Sequence, residues 1–291
     1  MRRVVILGCG YIGQWVAQQL LDNAGSVLGI VRSQQSLETC KQKGIHCQLL
    51  DLDDSAAGFK SDEDLSGDII LYLAPPQAKG EEDVRMQHFL RLIDRQLPSK
   101  FVLLSTTGVY GDCGGDWIDE TTPVDPKVDR ARRRYSAECQ VQDFCIRRNI
   151  PLTILRVPGI YGPGKFPLER IRKAMPIVRE EDSPFSNRIH AADLVNICIK
   201  SITDDTITGI YNCTDGHPTT MYDYFMKVAQ AHNLPSPPVI SLAQAKKELS
   251  PGMLSYMEES RRIGNAKLLR DFNLSLQYPD LDAGLKDIAK E

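Results

Sequence analysis

None of the eight cysteines stands in a CxxC pair. That absence argues against zinc-ribbon and thioredoxin-type chemistry. Scattered thiols in a chain of 291 residues, with Met1-Arg2-Arg3 leading into an apolar run rather than a signal-like stretch, predict a reduced, cytoplasmic protein. Positive charge is not in excess either. The formal net charge of -3 offers no electrostatic footprint for nucleic acid or an acidic membrane surface. No apolar run approaches the ~20 residues of a membrane span. Internal repeats, heptads, low-complexity tracts, Ser/His/Asp arrangements and metal-ligand spacings are all missing, so no metal is expected.

What the chain does have is alternation. Short apolar runs at 4–7, 26–31, 46–50, 68–73, 101–104 and 152–155 read as strands. Crossover segments separate the first five. Phe89, Leu90 and Ile93 predict a helix over 87–96, and 131–148, 265–272 and 281–288 are further helix candidates. This is the pattern of an α/β fold, a doubly wound parallel sheet of Rossmann type. The 42% hydrophobic content allows a sizeable core. The expected division is a core over 1–160 with a contribution from 188–214. A smaller substrate lobe would be built from 161–187 and 215–291.

Gly8-Cys9-Gly10-Tyr11-Ile12-Gly13 joins the first strand to a helical pattern. Gly8 suits a tight turn, Gly10 lets the backbone approach a pyrophosphate, and Gly13 lets helix and strand pack closely. The helix N-terminus adds N–H donors and partial positive charge. The cofactor implied is NADP or NAD. An NAD site commonly carries an acid at the end of the second strand, but here the residues are Val31-Arg32-Ser33. Arg32 suits a 2′-phosphate, with Ser33 as an added hydroxyl, so the reading favours NADP. Arg32 as a plain loop cation is the competing reading. Asp51 is a candidate for the adenine amino group or an ordinary turn aspartate. Leu73, Ala74 and Pro75 suit a wall against the cofactor, or simply open a loop with Pro76.

Ser105-Thr106-Thr107-Gly108-Val109-Tyr110-Gly111-Asp112 resembles the catalytic-strand signature of the extended short-chain dehydrogenases/reductases, which include NAD-dependent epimerases and dehydratases of nucleotide sugars. Glu120-Thr121-Thr122-Pro123, Leu155–Gly164, Arg188–Leu194 and Ile210-Tyr211-Asn212-Cys213 resemble further family segments in the same order, over essentially the whole chain. The resemblance implies that Thr106, four residues before Tyr110, bonds the reacting oxygen of a small-molecule substrate. Local capping is its plainer role. It also implies that Pro158 faces the nicotinamide carboxamide, and that two long helices offer a homodimer surface.

The family's catalytic tyrosine and the lysine four residues after it have no match here. Aligning the later helix glutamate with Glu138 puts Arg130 at the tyrosine position and Arg134 at the lysine position. Tyr135 is one residue out of register, about 100° around the helix. A guanidinium stays protonated, so Arg130 is no base. Arg134 remains a candidate for cofactor ribose or phosphate, and Arg130 for an anionic substrate. The competing reading is a solvated stripe with an Arg134–Glu138 pair. Tyr161 is a substrate candidate with packing as its alternative, His190 reads as structural, and Asp193 reads as a helix cap. The chain most resembles atypical members of the superfamily. Two functions follow: an oxidoreductase, epimerase or dehydratase of a polar, sugar-like or anionic compound, or a non-catalytic NADP(H) sensor.

Overall fold

The computed structural model describes residues 2–59, 63–248, 254 and 259–286. A seven-stranded parallel sheet dominates it. Its first five strands are β1 (Val4–Leu7), β2 (Val27–Val31), β3 (Cys47–Leu49), β4 (Ile69–Tyr72) and β5 (Lys100–Thr106). Every residue of β1, β2 and β4 is buried, as expected where helices cover both faces of a parallel sheet. The order across the sheet is Gly209–Asn212, Leu152–Val157, β5, β4, β1, β2, β3. Val4 lies opposite both Val27 and Ile69. The winding therefore reverses between β1 and β4. In sheets of this kind a ligand crevice opens there, beyond the strands' C-terminal ends.

Four helices flank the crevice or pack behind it: α1 (Tyr11–Asp22), α2 (Gln34–Gln42), α3 (Val84–Leu92) and α4 (Asp129–Arg148). Ser33 caps α2, its hydroxyl accepting from Ser36 N at 3.2 Å. Asp83 caps α3, accepting from Met86 N at 2.9 Å. That cap starts α3 three residues earlier than apolar spacing predicts. Phe89 and Leu90 still face the core, with Phe101 of β5 and Val141 and Phe144 of α4. The late helices run over Ala266–Asp271 and Leu281–Lys286. The remainder of the 281–288 expectation lies outside the described residues. Among the described residues, no helix is long and apolar enough to cross a membrane.

Two compact units divide the chain. One holds Met1–Val109, Asp129–Arg156 and Leu194–Tyr211, and the other Tyr110–Val128, Val157–Asp193 and Asn212–Glu291. The segment 110–128, assigned to the core from sequence, lies in the second unit. Trp117–Ile118 pairs in parallel with Arg262–Ile263, and Ser260 N donates to Asp112 at 2.8 Å. A strand pairing across some 145 residues of sequence leaves no local trace. The second unit has its own apolar cluster, which includes Tyr161, Ile177, Phe225, Val228 and Leu281.

Candidate functional site

The turn after β1 is bound to its neighbours by backbone. Gly8 N and Cys9 N both donate to Ile30 O, at 3.0 and 3.2 Å. Gly8 has φ +79°, and a Cβ there would lie 2.7 Å from Ala74 N. Its glycine identity is thus required by the adjacent end of β4 as well as by the turn. A Cβ on Gly13 would come within 3.1 Å of Ile6 and 3.2 Å of Leu73, so helix and strand pack closely there. Gly10 is different. Its Cβ would meet nothing closer than Gly8 O at 3.9 Å, which leaves open space. Gly10 is also the N-cap of α1, and no side chain caps that helix. An uncapped helix N-terminus beside open space suits an anion, and these residues fit a dinucleotide's diphosphate. Tyr11 packs on Trp15 at 5.3 Å between ring centres, Ile12 is buried, and Cys9 turns into the interior.

Next to the turn is a cleft of about 220 Å³, lined by residues that include Gly8, Val31, Arg32, Leu50, Ala74 and Arg85. Whole small-molecule sites run to roughly 300–1,000 Å³, so this cleft is smaller than a complete site of that kind. Its rim carries a charge cluster. Arg85 grips Asp53 with two hydrogen bonds of 2.6 and 2.5 Å and also donates to Pro75 O at 2.8 Å. Arg32 reaches Asp53 only at 3.4 Å, and its side chain is 60% exposed. The Arg85 hydrogen bonds hold the Asp53 carboxyl below its ordinary range, with Arg32 adding to the effect. Arg85 is therefore an anchored strut, and Arg32 has slack. Sequence reading missed both Arg85 and Asp53. Arg85 lies on α3, far from the second strand in sequence, and carries no motif. Asp51 accepts from Asp53 N at 3.0 Å and shapes this loop. Ser33 is engaged as the α2 cap.

At the end of β5, the Thr106 hydroxyl accepts from Gly108 N at 3.2 Å, which leaves its proton to donate elsewhere. The start of α4 is adjacent, since a Cβ on Gly108 would lie 3.5 Å from Thr106 and 3.8 Å from Ala131. The Arg134–Glu138 surface pair of the competing reading does not form. Arg134 turns inward and donates to Ala74 O at 3.2 Å. Burial lowers its pKa, while nearby Asp83 and Tyr72 act the other way. Glu138 is fully buried and accepts from Arg156 at 3.2 and 2.8 Å and from Ser105. Arg130 is half-buried in the first turn of α4. A hydrogen bond with Cys139 raises the pKa of the Tyr135 phenol.

In the second unit, several motif residues prove to be braces. Tyr110 donates to Asn212 Oδ1 at 2.9 Å, and Asn212 N donates to Glu120 at 2.7 Å, so three separate motifs share one interior network. Tyr161, for which the sequence offers a substrate role or packing, is packed in the interior. It is 1% exposed, donates to Asp280 O at 3.0 Å, and leaves no room for a side chain on Gly284. The ring of His190 packs on Tyr161 and Tyr278. Asp193 accepts from Gln277 N and Tyr278 N at 2.7 and 2.9 Å, which ties down a distant segment instead of capping its own helix. Pro158 sits between Leu152–Val157 and the short strand Gly159–Tyr161.

The comparisons agree with this geometry. A model of the NAD dependent epimerase/dehydratase family matches residues 4–213. Protein YeeZ of Escherichia coli (strain K12) is 25% identical over 96% of this chain and 97% of its own. A functionally unknown conserved protein from Silicibacter pomeroyi DSS superposes with a TM-score of 0.86 at 27% identity, covering 100% of this chain and 99% of that one. The UDP-glucose 4-epimerase of Thermus thermophilus, solved in complex with NAD, shares the fold at TM-score 0.76 and 20% identity over 98% and 96%. With a dinucleotide turn at the sheet's reversal point and a family match over most of its length, this chain belongs to the NAD-dependent epimerase/dehydratase family.

Proposed function

We propose that the protein is an NADP(H)-preferring oxidoreductase, epimerase or dehydratase of a small polar substrate, sugar-like or anionic. The observation that carries the reading is the Thr106 hydroxyl at the end of β5, packed beside the first turn of α4. When bound, the nicotinamide supplies or takes up hydride. The chain's own residues do the rest. Gly10 and the α1 N-terminus hold the diphosphate, and Ala74 and Pro75 form a wall. Arg32 pairs with the 2′-phosphate while Arg85 stays fixed on Asp53. Arg134 donates to a cofactor hydroxyl or phosphate, Arg130 pairs with an anionic group of the substrate, and Thr106 donates to the reacting oxygen. Neither guanidinium accepts a proton, so both act by charge and position.

Thr106→Val tests this directly. NADPH-linked turnover, screened with aldehydes, ketones and nucleotide sugars, is expected to fall at least about 100-fold, with NADPH affinity unchanged. Full turnover by the variant would sink the assignment. Arg32→Asp tests the cofactor. It removes one charge-assisted pair, so NADPH binding should weaken about 10- to 100-fold more than NADH binding. Equal losses for both nucleotides would show that Arg32 never meets the 2′-phosphate.

The arginines at 130 and 134 favour a second reading, a non-catalytic NADP(H) sensor, because the usual tyrosine and lysine are missing. A sensor would melt at a higher temperature with NADPH yet oxidise it with none of the panel. Turnover with any of these compounds excludes it.

A further inference from the structure

Three cysteines from three different segments meet in space. Cys9 follows β1, Cys40 is the buried residue of α2, and Cys47 opens β3. Their sulfur atoms all lie within 4.8 Å of one another. Gly29 of β2 makes the room, since a Cβ there would fall 2.3 Å from Cys47 Sγ and 3.2 Å from Cys9 Sγ.

We propose that Cys9, Cys40 and Cys47 form a three-coordinate thiolate site for a soft, closed-shell monovalent cation, Cu(I), directly behind the dinucleotide turn. Metal–sulfur bonds of about 2.3 Å in a trigonal arrangement put the sulfurs about 4 Å apart, which small side-chain adjustments reach from the observed spacing. Donor chemistry selects the ion. Thiolates alone favour Cu(I) over harder cations, and structural zinc takes four ligands. Among the described residues, no fourth His, Cys, Asp or Glu joins the group. Gln14 is the polar side chain beside the sulfurs. Its Nε2 lies 3.8 Å from Cys40 Sγ and 3.4 Å from Cys9 O, and its Oε1 is held by Lys43 at 2.8 Å. Gln14 thus offers the sulfurs a donor, and Lys43 brings positive charge to the rim of an anionic site. Cys9 and Cys40 are fully buried, whereas Cys47 is partly exposed and gives the ion a way in. Cys9 stands between Gly8 and Gly10, so a bound ion would brace the turn from its inner side. None of this depends on Thr106 or on a reaction.

The test is competition for Cu(I) between the reduced full-length protein and a colorimetric Cu(I) chelator. One tight equivalent per chain is expected. Cys47→Ser should weaken it more than about 100-fold, beyond the 10- to 100-fold typical of an outer partner. Cys139→Ser, at an exposed thiol outside the cluster, should leave it intact. Undiminished affinity in Cys47→Ser would overturn the proposal. A second measurement needs no variant. Alkylation of the wild type, read by mass spectrometry, should show Cu(I) protecting Cys47 but not Cys139. Equal labelling of Cys47 with and without Cu(I) would also overturn it.

Discussion

Gly10→Ala is expected to abolish dinucleotide binding while leaving the fold almost untouched. The added methyl meets nothing closer than 3.9 Å in the protein itself. At a helix N-cap, alanine in place of glycine costs no more than about 1 kcal/mol. In the proposed function the same methyl projects into the space assigned to the diphosphate. Pushing an anion off the helix N-terminus removes charge-assisted hydrogen bonds worth about 1.5–3 kcal/mol each. Losing two of them lowers affinity more than about 100-fold. Gly8→Ala makes the informative contrast. There the methyl would sit 2.7 Å from Ala74 N on a backbone at φ +79°, so both stability and binding should suffer. Calorimetry with NADPH and NADH, beside urea denaturation, separates the two cases. Normal nucleotide binding by Gly10→Ala would remove the turn from the cofactor site.

Glu138→Ala is expected to destabilise the fold by about 3–5 kcal/mol, the typical cost of removing one partner from a buried ion pair. The Glu138 and Arg156 side chains are 0% and 4% exposed, so solvent does not screen the charge that is left. Ser105 loses its acceptor in the same step. Replacing both charges, as in Glu138→Leu with Arg156→Met, should restore most of the loss, because the penalty comes from a buried charge that has lost its carboxylate more than from a missing attraction. Urea midpoints of the single and double variants measure this. A loss below about 1 kcal/mol for Glu138→Ala would mean that water reaches the Arg156 guanidinium. Ser105 precedes Thr106, so the network also holds the end of β5 in place.

The helical stripe of Arg130, Arg134 and Glu138 shows where sequence reading stops. Four-residue spacing puts all three on one face, but spacing does not say which neighbour that face meets. Arg156 lies on another strand, and its charge draws Glu138 into the core. Ala74 O, at the end of β4, takes Arg134. Tyr161 and Asp193 were ambiguous for the same reason, because their partners lie at 277–284. Arg85 left no signal, since its value comes from Asp53 across a crossover.

The first six strands of the sheet and the glycine placement of the first turn were set by sequence alone. Alternation and glycine placement are local properties, carried by burial and by backbone geometry within a few residues. The 110–128 pairing, the Glu138–Arg156 pair and the meeting of three thiols were decided only in three dimensions. Each joins side chains or strands whose approach depends on how the whole sheet is wound.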